Sequence, residues 1–183
     1  MSEVVVNPYL FPRTTATIES ISFTADNATQ CGSPIQINPD ARLGVGCVVT
    51  AGSDLIGKQI TQVIVGMCKT GSSFSGTLGY RIYTPDGVPG TLQAESSNTI
   101  TMPYTSSTAT FLMPGSYAIQ EGDQLMVWAL TGSSDNANFN SIRQCNILPA
   151  CNNSALFKTS QINTGGWETN YDYSQYYQWT YYE

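Results

Sequence analysis

The residues best equipped for chemistry crowd into the end of the chain. Tyr171, Tyr173, Tyr176, Tyr177 and Trp179 fall within nine residues, and Tyr181 and Tyr182 follow. Such rings carry a large apolar body with a polar tip, which suits stacking on a sugar ring or burial against another protein. The first five are the candidate ligand-binding residues. Alternation from Tyr177 through Trp179 to Tyr181, with Gln178 and Thr180 between, fits a last strand. The same rings therefore suit closure of a core. Tyr181 and Tyr182 are candidates for assembly, together with an apolar patch at the other end of the chain made of Val4, Val5, Val6, Tyr9, Leu10 and Phe11.

Much other chemistry is excluded. The chain has no histidine, so it can hold no Ser-His-Asp or Cys-His arrangement, no imidazole metal ligand and no H-E-x-x-H site. A glycosidase-like pair of carboxylates would survive that loss, but none of the 13 acidic residues stands in a recognisable catalytic motif. Residues 52–59, GSDLIGKQ, come close to a phosphate-binding loop. Gln59 replaces the hydroxyl that would meet Mg²⁺, and the β-branched run after it reads as a strand where a helix N-terminus is needed. Asp135, Asn138, Glu121 and Asp123 offer oxygen atoms of the kind Ca²⁺ takes, yet neither group completes an EF-hand loop, and turn formation explains them. The expectation is a non-enzymatic protein with no cofactor and no metal.

Charge and cysteines bound the partners. Lys and Arg total 7 against 13 Asp and Glu, a net charge of -6, which argues against nucleic acid and against an anionic membrane. No apolar run is long enough to span a bilayer. Polarity comes instead from Ser, Thr, Asn, Gln and Gly. Of the five cysteines, Cys145 and Cys151 bracket a Pro-containing loop that a disulfide would close, and Cys31 sits in a Gly-Ser-Pro turn. Cys47 and Cys68 lie in apolar runs, where buried free thiols fit. Asn27 and Asn152 head glycosylation sequons, which matter only in a glycosylating compartment. The start, MSEVVVNPYLFPRTT, lacks the basic and apolar regions of a secretory signal.

The elements that must position these residues are strands. Ile60, Val63, Val65 and Met67 form one apolar run, Leu78, Tyr80 and Ile82 a second, and Leu125, Val127 and Ala129 a third. Gly71, Gly76, Pro85-Asp86-Gly87 and Gly122-Asp123 separate them. Residues 18–25, 43–51, 141–147 and 155–162 read as further strands, and residues 26–41 as a loop. Residues 99–104 and 108–113 read as a strand pair around Ser106-Ser107.

A resemblance follows from four motifs. They are I-G-K-x-I-T-x-V at residues 56–63, K-T-G-S-x-x-S-G-T-L at 69–78, Y-x-x-x-G-V-P-G-T-L-x-A-x-S at 83–96 and Y-x-I-x-x-G-D at 117–123. Together they resemble jelly-roll β-sandwich modules of prokaryotic cell-surface and secreted proteins, relatives of which occur in viral surface proteins. The resemblance implies a single all-β jelly-roll-type sandwich of roughly eight to ten antiparallel strands. It also implies binding, spacing or particle-building roles.

The expected organisation is an extended arm at residues 1–15, a sandwich at 16–166 and an aromatic strand or tail at 167–183. The expected function is that of a self-assembling surface protein, a virion component such as a capsid decoration or fibre subunit. Its partners would be copies of itself, a major capsid protein or a filament protein, at a virion surface or outside cells. The alternatives are a carbohydrate-binding or adhesion module, with glycans as partners, and an extracellular filament subunit.

Overall fold

The computed structural model describes residues 18–23, 35–37, 44–68, 76–87, 89–102, 108–132, 140–142, 144–145, 159–163, 166–170, 174–175 and 177–182. Among these residues every regular element is a strand and none is a helix. The arm residues Val4, Val5, Val6, Tyr9, Leu10 and Phe11 lie outside the described residues, as do Asp135 and Asn138.

Two antiparallel sheets carry the strands. The six-stranded sheet holds β1 (Ile18–Phe23), β2 (Ile35–Ile37), β4 (Gln59–Cys68), β8 (Thr108–Leu112), β10 (Asn140–Ile142) and β15 (Tyr177–Tyr182). Its order is β1-β15-β4-β10-β2, with β8 also paired to β4. The seven-stranded sheet holds β3 (Gly44–Val48), β5 (Gly76–Tyr83), β6 (Leu92–Glu95), β7 (Ile100–Met102), β9 (Gln124–Gly132), β12 (Thr159–Asn163) and β13 (Gly166–Asn170). Here the order is β13-β12-β3-β9-β5-β6, with β7 also on β5. A further two-stranded ladder joins β11 (Gln144–Cys145) to β14 (Ser174–Gln175).

One core serves both sheets. Val63, Val65, Ala109, Phe111 and Trp179 from the six-stranded sheet pack with Cys47, Leu78, Tyr80, Ile82, Leu125 and Val127 from the seven-stranded one. These are the alternate positions of their strands, as a period of two requires. Strand β9 departs from simple alternation, because its run Leu125 to Ala129 is buried throughout. Its other face, Met126 and Trp128, builds a second apolar cluster with Tyr83, the pattern of a strand covered on both sides.

Two expectations about connectivity are corrected. Residues 99–104 and 108–113 do not pair with each other: β7 pairs with β5 and β8 pairs with β4, in opposite sheets. The stretch read as a loop over 26–41 contains β2, which pairs with β10. The expected tail at 167–183 is also not set apart. Trp167 stands opposite Ile162 in the β12/β13 ladder, and β15 runs between β1 and β4.

Candidate functional site

The aromatic strand comes first, since the candidate ligand residues lie on it. In β15, Trp179 stands opposite Val63 of β4 on one side and Ile21 of β1 on the other. Its side chain is fully buried. Trp179 Nε1 donates a hydrogen bond to the Tyr80 hydroxyl of β5, 3.2 Å away, so the indole ties one sheet to the other across the core. Tyr80 is itself fully buried, its ring centroid 5.9 Å from that of Phe111. Burial raises the Tyr80 pKa well above its ordinary value, so the phenol stays neutral.

Trp179 is thus a core residue, and the expectation that it stacks on an external ligand is corrected. Tyr181 is corrected likewise: it is 5% exposed, buried in its own chain, with the Lys58 ammonium 5.0 Å from its ring centroid. Pairing on both sides also leaves β15 no edge to lend a neighbour. Tyr182 stays at the surface, 36% exposed. Tyr177 occupies the β15 position opposite Phe23 and Val65. Tyr171, Tyr173, Tyr176 and Cys151 lie outside the described residues, while Cys145 stands opposite Ser174 in the small ladder.

What the core positions of β15, β4 and β8 leave pointing outward is a neutral surface. Cross-strand partners share a face, so the register writes two rows. One runs Gln178, Ile64, Thr110, and the other Thr180, Gln62, Leu112. Neither row holds a charge. Gln178, Thr180, Gln62, Ile64 and Thr110 are half-buried. Leu112 is 47% exposed and Tyr182 36% exposed. A bulge between Thr180 and Tyr181 bends this face. It is held where Thr61 Oγ1 donates to the Thr180 carbonyl at 3.1 Å and the Met113 N–H donates to the Thr61 carbonyl at 2.8 Å.

The opposite outer face, on the seven-stranded sheet, is closed. Met126, Gln124, Trp128 and Tyr83 are all buried there, and the Tyr83 and Trp128 rings meet at 5.2 Å. Arg81 covers the margin: its guanidinium carbon lies 5.6 Å from the Trp128 ring centre. Its Nη2 donates to both Glu95 carboxylate oxygens at 3.2 Å, and its Nη1 donates to the Tyr83 hydroxyl at 3.3 Å. Gly44 makes room for this layer, because a Cβ there would lie 2.6 Å from Trp128 Cε3. A bidentate pair over packed rings is a seal more than a receptor.

The loop candidates are structural. Gly52 and Gly57 adopt left-handed backbone angles of φ 79° and 83°, and the chain passes straight from them into β4, so no helix start is presented to a phosphate. Asp123 is fully buried. Its Oδ1 accepts from the Tyr117 hydroxyl at 3.2 Å and its Oδ2 from the Gln120 N–H at 2.7 Å, which uses both oxygens to shape the turn before β9. Burial raises the Asp123 pKa. Burial first, and then the adjoining Asp123 carboxylate, push Tyr117 up to about 12. Among the described residues no three His, Cys, Asp or Glu side chains gather at one point. Cys47 is a free buried thiol, with its pKa raised by that burial.

No family model matches the chain, and no curated protein or solved structure is similar to it. The neutral face is the feature that the candidate residues did not include. Its signal is present in QITQVIVG, TATFL and YQWTYY, where every residue between the core positions is uncharged.

Proposed function

We propose that the chain is a non-enzymatic structural module that associates with copies of itself through the outer face of the six-stranded sheet. In this reading the two sheets form one jelly-roll-type sandwich, and the assembly is a surface layer or fibre, such as a capsid decoration or fibre subunit of a virion. The observation that carries it is the pair of uncharged rows Gln178-Ile64-Thr110 and Thr180-Gln62-Leu112 on a chain of net charge -6. Copies of an acidic protein repel one another, and the repulsion is least where neither surface bears charge. Gln and Thr supply hydrogen bonds that a second copy of the same face can return, and Ile64, Leu112 and Tyr182 supply apolar contact. Closure of the other outer face by Arg81, Tyr83 and Trp128 favours this one.

The test introduces like charges into the rows. Gln62→Glu with Gln178→Glu places two carboxylates on each copy without touching the core side of either strand. Sedimentation velocity should show concentration-dependent association of the natural chain and its loss, by about tenfold or more in affinity, in the double variant. Undiminished association of a folded double variant would refute the assignment of this face.

A further inference from the structure

The six-stranded sheet also has a margin at β8, and among the described residues Ser97 and Asn98 bond to it. Among named strands β8 pairs only with β4. On its other side the segment after β6 runs alongside. The Ser97 N–H donates to the Leu112 carbonyl at 2.8 Å. Asn98 Nδ2 donates to the Thr110 carbonyl at 2.9 Å, and Asn98 Oδ1 accepts from the Leu112 N–H at 2.7 Å. One carboxamide therefore takes a carbonyl and the amide two residues on, which is the pair of groups a neighbouring strand's backbone would take. Among side chains only a carboxamide offers donor and acceptor in this planar arrangement. The hydrogen-bond demand of β8 fixes which atom is which.

Asn98 is held in place from the opposite sheet. Ser96 is buried, its N–H donates to the Tyr80 carbonyl at 2.8 Å, and its Oγ accepts from the Tyr80 N–H at 3.0 Å. The same Ser96 hydroxyl donates to the Asn98 carbonyl at 2.8 Å. The plug is thus built on β5 of one sheet and inserted at the margin of the other.

We infer that Asn98 is a surrogate strand which keeps the β8 edge from strand addition by a second copy of this chain. What it covers is a good template. The sequence TATFL carries no charge and no proline, and Leu112 lies exposed beside it. The Thr110 N–H points the same way as its carbonyl, outward from β4. The exposed edge fits another copy's β8, whose extended, uncharged backbone meets the same demand. Copies then meet through the sheet face and not through its margin.

Asn98→Ala tests this in the Gln62→Glu, Gln178→Glu background, with that double variant as the reference whatever its own oligomeric state. The measurements are sedimentation velocity and amide hydrogen exchange at Thr110. The expected result is a larger species in which the Thr110 amide exchanges about tenfold more slowly than in the reference. A folded variant with the sedimentation of the reference overturns the proposal. So does a larger species with unchanged exchange at Thr110, because it joins elsewhere. If Asn98→Ala does not fold, Asn98→Ser, whose hydroxyl is too short to bridge both groups, is read in the same two ways.

Discussion

At the scale of single residues, the hydrogen bond from Trp179 Nε1 to the Tyr80 hydroxyl decides what the aromatic strand is for. It ties the two sheets through a buried polar contact, and a buried polar atom that loses its partner is expensive. Tyr80→Phe should lower stability by about 1–3 kcal/mol in urea unfolding. A change near zero would mean that the indole is not held this way. Asp123 gives a second expectation, in pH. Its pKa is raised in the folded chain, so the folded state binds more protons than the unfolded state between the unfolded value, about 3.9, and the folded one. Its contribution to stability is therefore complete below that window and is lost as pH rises through the folded pKa. Asp123→Asn should flatten this part of the profile, checked by unfolding free energies from neutral pH down to about pH 4. Asp86 works in the opposite direction. The Thr84 hydroxyl, and then the Thr91 N–H and hydroxyl, lower its pKa, so its contribution is lost as pH falls through the folded value.

At the scale of elements, β15 is an internal strand paired to β1 and β4. Removing residues 177–183 should therefore unfold the chain, with loss of its β-sheet circular dichroism signal. A folded truncated chain would show that the strand is dispensable. Much of this scale was legible in the sequence. Runs such as Leu78, Tyr80, Ile82 and Tyr177, Trp179, Tyr181 alternate, and alternation marks a strand and divides its side chains between two faces. Pairing was not legible, since a short Ser-rich connection between apolar runs looks the same whether the chain turns back, as in a hairpin, or crosses between sheets, as β7 and β8 do. Strand β2 was missed because Pro34 and Pro39 leave only Ile35-Gln36-Ile37-Asn38 between them, too short for a period to show. Met126 and Trp128 were overlooked for the reverse reason: LMVWAL is apolar at every position, so reading one alternation hides the other face. Alternation told which rings face the core only once the strand's neighbours were known, and that placed Trp179 inside.

At the scale of the whole molecule, the two sheets differ in their outer faces. That of the seven-stranded sheet is sealed by Tyr83, Trp128 and the Arg81–Glu95 pair. Across β15, β4 and β8 the six-stranded sheet presents uncharged, partly exposed side chains, and its β8 margin is plugged by Asn98. The all-β class was evident in the apolar runs and their turn residues, and the neutral polarity of the surface in composition. The identity of the open face was not, because it depends on what covers each sheet. The central claim, association through an uncharged face of an acidic chain, makes a directional demand on salt. Charges of like sign are screened over about 10 Å at 0.1 M ionic strength, so screening should remove the repulsion between copies while leaving the interface intact. The most direct measurement is sedimentation equilibrium of the unaltered chain from about 0.05 to 0.5 M salt. The prediction is association that tightens as salt rises. Association that weakens with salt, or a monomer throughout, would contradict it.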